Sequence, residues 1–118
     1  MNTDLASGRE LAAAIAAGSG AAGPCEVIVF PPFPYLLPVG ESIEGSSVRL
    51  GAQDVYDEPP GAFTGEVSTA MLANCGVEMV LTGHSERRHV LGESDDLVNR
   101  KTRAALAAGL EVTLCIGE

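Results

Sequence analysis

The chain has 118 residues and a formal charge of −9, from 16 acidic and 7 basic side chains. That balance is the reverse of what a nucleic-acid binder needs, and it opposes attachment to an anionic membrane. It leaves room for a small phosphorylated ligand, because a few backbone dipoles and cations can hold an anion inside an acidic protein. Apolar residues make up 46% and Trp is absent, so a core must be built from Val, Leu, Ile, Ala and Met.

The first element in chain order is a helix opened by Ser7-Gly8-Arg9-Glu10, which reads as a capping box. Leu11, Ala12, Ile15 and Ala16 give it an apolar stripe, and Gly18 can stop it. A strand follows at Glu26–Phe30, then a weaker helix from about Leu36 to Ile43. The second strand is expected at Val48–Ala52. Ser68 can cap a short helix through Asn74, with Gly76 just past its end. The third strand is Met79–Thr82, after which Ser85 and Glu86 open a helical turn. The clearest helix runs from Asp95 to Ala108. Ser94 caps it, Asp95 and Asp96 sit at its positive end, Lys101 and Arg103 lie toward its negative end, and Gly109 ends it. A fourth strand is expected at Val112–Ile116.

The order is αβαβαβαβ, and the strand starts are 22, 31 and 33 residues apart. Strand–helix–strand units need about 30 residues, and a helical crossover returns the chain to the same end of the sheet. The strands are therefore parallel, and their continuous apolar character fits a sheet covered on both faces. Residues 1–118 read as a single α/β unit with no internal linker. Two architectures fit: an open doubly wound sheet, or part of a (β/α)₈ barrel, which usually needs about 250 residues.

The cysteines, Cys25, Cys75 and Cys115, are odd in number and spaced unlike any metal or redox motif. No disulfide framework, metal or cofactor is expected, and a reducing, cytoplasmic setting is favoured. No stretch is long and apolar enough to span a membrane, and Met1-Asn2-Thr3-Asp4 lacks the basic start of a signal peptide.

Parallel α/β folds place their sites at the C-terminal ends of strands. His84 follows the third strand after a single residue, Gly83. A His at a helical turn sits beside free backbone N–H groups, which disfavour the imidazolium. A neutral ring could polarise a substrate carbonyl; it could equally be a surface residue that only caps the turn.

Four motifs carry a resemblance. Leu81-Thr82-Gly83-His84-Ser85-Glu86-Arg87-Arg88 looks like the segment that supplies the electrophile of the triosephosphate isomerase family. Gly51-Ala52-Gln53-Asp54 with Gly61-Ala62-Phe63-Thr64-Gly65-Glu66-Val67-Ser68 resembles that family's third loop. Cys115-Ile116-Gly117-Glu118 resembles the end of its fifth strand, and Met1-Asn2 the two residues after its catalytic lysine.

The resemblance implies a partial barrel of about four strands, completed by association, that takes part in glycolysis and gluconeogenesis. It implies interconversion of dihydroxyacetone phosphate and glyceraldehyde 3-phosphate through an enediolate. His84 would be the electrophile, with Ser85 and Glu86 behind it. Thr64 would lie at the tip of a loop that enters a neighbouring subunit. Glu66 and Arg87 would form the polar pairing around that loop, and Cys115 would be a buried residue near the site. The lysine would precede Met1, and the glutamate base, the lid and the phosphate loops would follow Glu118. The isolated chain is therefore expected to be inactive, with a second copy or a complementary C-terminal fragment as partner. A non-catalytic half-barrel that homo-oligomerises is the alternative. An independent anion-binding α/β domain ranks below both, because Gly18-Ser19-Gly20 follows a helix rather than a strand.

Overall fold

A computed structural model describes residues 1–117. Its regular elements are α1 (Leu5–Gly18), β1 (Ile28–Val29), α2 (Leu36–Ile43), β2 (Arg49–Ala52), α3 (Thr69–Asn74), β3 (Met79–Thr82), α4 (Ser85–His89), α5 (Asp95–Ala107) and β4 (Glu111–Leu114). Short 3₁₀ turns follow α1 and precede α2. Two helices, rather than one, separate β3 from β4.

The four strands form one parallel sheet in the order β1-β2-β3-β4. Register follows the apolar runs: Val29 lies opposite Leu50, Ala52 opposite Val80, and Val80 opposite Val112. Sequential order with every neighbour parallel is the arrangement of barrel strands, since a doubly wound sheet reverses its order part-way. Among the described residues, neither β1 nor β4 pairs with a further strand on its outer side.

The core lies between the sheet and the helices. Leu36, Val39 and Ile43 form one buried stripe of α2, and Val98, Lys101 and Ala105 one of α5. Leu36, Val39, Ile43 and Ala105 pack in one cluster with Val48, Leu50, Ala52, Val55, Leu72, Val77, Val80 and Leu110. At the N-terminal end of the sheet, Arg49 pairs with Glu26, Glu78 and Glu111, tying all four strand beginnings together. The contact with Glu111 holds that carboxyl below its usual range.

Three local expectations change. Helix α1 starts before Ser7, because Asp4 is its cap: the Asp4 carboxylate accepts the Ser7 N–H at 2.8 Å, and Ser7 Oγ accepts the Asp4 N–H at 2.9 Å. A carboxylate at the positive helix end outcompetes the neutral hydroxyl of Ser7. Strand β1 keeps only Ile28–Val29 of the expected Glu26–Phe30, having a partner on one side alone. Strand β4 begins at Glu111, drawn in by the Glu111 N–H bond to the Glu78 carbonyl and by Arg49.

Gly51 marks the closest packing on the sheet. A Cβ there would lie 2.2 Å from the Phe30 ring, which covers the strand at that point. Gly51→Ala should destabilise the chain by about 1–3 kcal/mol in denaturant unfolding. Adding Phe30→Leu should return part of that loss; a fully additive double mutant would show that the ring is not the obstacle.

Candidate functional site

Strand β3 stops at Thr82, and the chain turns through Gly83 at φ +72°, a conformation L side chains rarely adopt. A Cβ on Gly83 would also lie 2.6 Å from an Arg88 nitrogen and 3.0 Å from the Cys115 carbonyl oxygen. His84 then caps α4 with extended backbone, φ −53° and ψ 142°. Its Nδ1 accepts the Glu86 N–H at 3.3 Å. A nitrogen accepting an amide hydrogen carries none of its own, so the ring in this geometry is neutral with its hydrogen on Nε2. The Glu86 carboxylate stands 3.8 Å from Nδ1, beyond hydrogen-bond distance.

His84 is half-exposed and lines a concavity of about 550 Å³ between α1 and the ends of the strands. Gln53, Glu86, Arg87 and Asn2 share its wall with apolar Val29, Phe30 and Leu81. Gln53 is itself fixed, donating through Nε2 to the Phe30 carbonyl at 2.8 Å. The other expected residues are dispersed. Ser85 is exposed and borders a smaller, separate depression with Arg88. Thr64 and Glu66 lie on the exposed stretch between β2 and α3 and do not border the concavity. Arg87 makes its ion pairs with Asp54 and Glu93 rather than with Glu66. Cys115 is half-buried rather than buried, and its backbone does the joining, donating to the Thr82 carbonyl at 2.8 Å.

Beneath this wall lies a charge cluster that sequence reasoning missed. Lys101, the chain's only lysine, reaches Asp54 at 2.8 Å and also contacts Glu93. Arg87 reaches the same two carboxylates, at 2.9 and 2.7 Å. Lys101, Asp54 and Glu93 side chains are each 7% exposed or less. Lys101 was expected to complement the helix dipole of α5; instead it sits on the buried stripe between Val98 and Ala105. That position, i+3 from one core residue and four before another, was the available signal.

Burial pushes the Asp54 carboxyl up, against the pull of Lys101 and Arg87. For Glu93, burial also pushes upward, but hydrogen bonds from Lys101 and Arg87 outweigh it and the carboxyl lies below its usual range. Two cations and two carboxylates alternate, so neither sign is left in excess. Removing one member would strand a buried charge.

The family model for triosephosphate isomerase matches residues 1–118. The chain belongs to the triosephosphate isomerase family. It is 55% identical over 93 residues to the triosephosphate isomerase of Carboxydothermus hydrogenoformans, covering 79% of this chain and 37% of that protein. It is 51% identical over 119 aligned positions to that of Chlorobaculum tepidum, covering 100% of this chain and 49% of that protein. The enzyme of Gluconacetobacter diazotrophicus is 49% identical across the whole chain, matching 48% of its own length. The chain thus spans less than half the length of these relatives, and its fold is a partial (β/α)₈ barrel.

Lys101→Met should cost about 3–5 kcal/mol, because it leaves Asp54 and Glu93 facing one cation instead of two. Glu93 sets part of the acid response. Its lowered carboxyl contributes stability above about pH 4.3, the unfolded value, and that stability is lost as pH falls through the lower folded value. Asp54, raised, acts in the opposite direction: its proton uptake on acidification favours the folded chain. Glu93→Gln should therefore be less stable at neutral pH and lose less on acidification, read from urea midpoints across that range.

Proposed function

We propose that the chain is the electrophile-bearing part of a triosephosphate isomerase, acting on dihydroxyacetone phosphate and glyceraldehyde 3-phosphate in the cytoplasm. The observation that carries this reading is the His84 Nδ1 bond to the Glu86 amide, which leaves Nε2–H as the ring's free donor. A neutral N–H donor can polarise a carbonyl and return a proton to the oxygen as an enediolate forms and collapses. Glu86 supports the ring through its backbone N–H, and Ser85 forms the first turn of α4 behind it.

The same reading needs a carbon base and a cation for the phosphate. Lys101 is consumed by its buried carboxylates and cannot serve. Both groups come from outside residues 1–117 on this reading, the carbon base from a complementary C-terminal part that also pairs with β4 and the cation from a segment corresponding to the residues before Met1. Thr64, Glu66 and Arg87 belong to the surface toward a neighbouring subunit, and Cys115 supports the end of β4 near the site. A second reading, a homo-oligomeric half-barrel without catalysis, is favoured by Leu114, which is 47% exposed on a strand with an open edge.

Isomerisation should be absent from the chain alone and appear on mixing it with a part that supplies base and cation. In that mixture His84→Gln should lower kcat by about 10²–10⁴-fold. An assembled activity indifferent to His84→Gln would overturn the reading, and a stable oligomer of the chain that excludes the complement would favour the second.

A further inference from the structure

We propose that Arg88 is the positioning residue for His84, fixing the ring's backbone by holding the Gly83 carbonyl. This rests on the role of His84 proposed above. Arg88 lies one turn after His84, and its guanidinium folds back over the turn that precedes it. Nε donates to the Gly83 carbonyl at 2.6 Å, Nη2 donates to the Cys115 carbonyl at 3.2 Å, and Nη1 reaches Asp95.

The Gly83 carbonyl and the His84 N–H belong to one planar peptide unit. A donor that fixes the carbonyl fixes that plane, and with it φ of His84. The Arg88 backbone N–H also donates to the His84 carbonyl at 3.1 Å, which holds the next peptide plane and so ψ. Both planes flanking the His84 Cα are thus held by residue 88. The second bond is an ordinary helical one that any non-proline residue makes; the first needs a long side chain with several donors in a rigid fork.

The rest of the geometry is built around that fork. Gly83 leaves the space it occupies, since a Cβ there would stand 2.6 Å from Nη2. The Cys115 bond joins the fork to the end of β4, whose own amide donates to the Thr82 carbonyl at 2.8 Å. Arg88 therefore ties the end of β3, the His84 turn and the end of β4 together. Lysine cannot substitute, because a single ammonium at the end of a flexible stem does not span two carbonyls in one plane. The Asp95 carboxylate is almost wholly exposed, so its pair with Arg88 contributes little.

The test is imidazole ¹⁵N spectroscopy of the 118-residue chain at about pH 8.5, where an ordinary imidazole is neutral. The sequence has two histidines, His84 and His89, and His89→Asn leaves the His84 signals alone. Wild type should show an unprotonated Nδ1 and a protonated Nε2. Arg88→Met and Arg88→Lys should both move the two shifts toward a tautomer mixture, while Asp95→Asn should not. A folded Arg88→Met chain with wild-type His84 shifts overturns the proposal. If neither variant folds, the wild-type Arg88 Nε–H decides: slow exchange supports the bond to Gly83, and exchange as fast as that of exposed Arg9 overturns it. In the assembled enzyme Arg88→Met should lower kcat by about 10²-fold with KM little changed. His84→Gln run in parallel separates the two claims. If it abolishes activity and Arg88→Met changes neither rate nor shifts, the positioning role fails. If it leaves activity intact while Arg88→Met moves the shifts, the isomerase reading fails and the positioning role stands.

Discussion

The lysine buried in α5 constrains the rest of the structure. Lys101 cannot be placed among Val98 and Ala105 without carboxylates, because an unpaired ammonium in that setting would cost several kcal/mol. Asp54, just past β2, and Glu93, just before α5, supply them, and Arg87 of α4 balances the charge. One cluster therefore joins the end of β2, the helix that carries His84, and the helix that covers the sheet. The buried Glu93 Oε2 has no hydrogen-bond partner among the described residues, so the cluster is not fully satisfied. Such a network is a costly way to obtain stability, and its consequence is geometric: α4 is docked on two sides, by Arg87 below and by Arg88 toward β4.

The sequence was most legible where local signals agreed. Met79–Thr82 and Leu36–Ile43 have the bounds expected of them, and Ser68 and Ser94 cap α3 and α5 through their hydroxyls. The start of α1 is less legible: Ser7-Gly8-Arg9-Glu10 fits the capping-box pattern, but the cap is Asp4, whose carboxylate accepts the Ser7 N–H. The edge strands were misjudged at their ends because strand length there is set by the neighbour, not by composition. Whether the sheet was doubly wound or part of a barrel could not be read from the order of elements, since both alternate strand and helix; the simple β1-β2-β3-β4 order decides it.

The candidate site was legible only as far as it is local. His84 was found because a histidine directly after a strand end is a positional signal. Its Nδ1 bond to Glu86 spans two residues and follows from the same turn. The Lys101 contact with Asp54 spans 47 residues, and the Arg88 contact with Cys115 spans 27, distances at which periodicity carries no information. Within the chain Arg87 pairs with Asp54 and Glu93, carboxylates that no local rule reveals.

The chain thus combines an internally tied half-sheet with outer edges that are unpaired among the described residues. Arg49 ties the strand beginnings, the Lys101 cluster ties the strand ends to their helices, and β4 stays exposed along most of its length. That division places order at His84 and leaves association to the edges.

Native-state hydrogen exchange on the isolated chain tests this most directly. Strong protection is expected of the amides between β2 and β3, of Val98, and of Cys115 on Thr82, with weaker protection in β1. Uniformly fast exchange, with the Cys115 amide no slower than those of the loop around Thr64, would contradict the claim that this chain holds the His84 turn by itself.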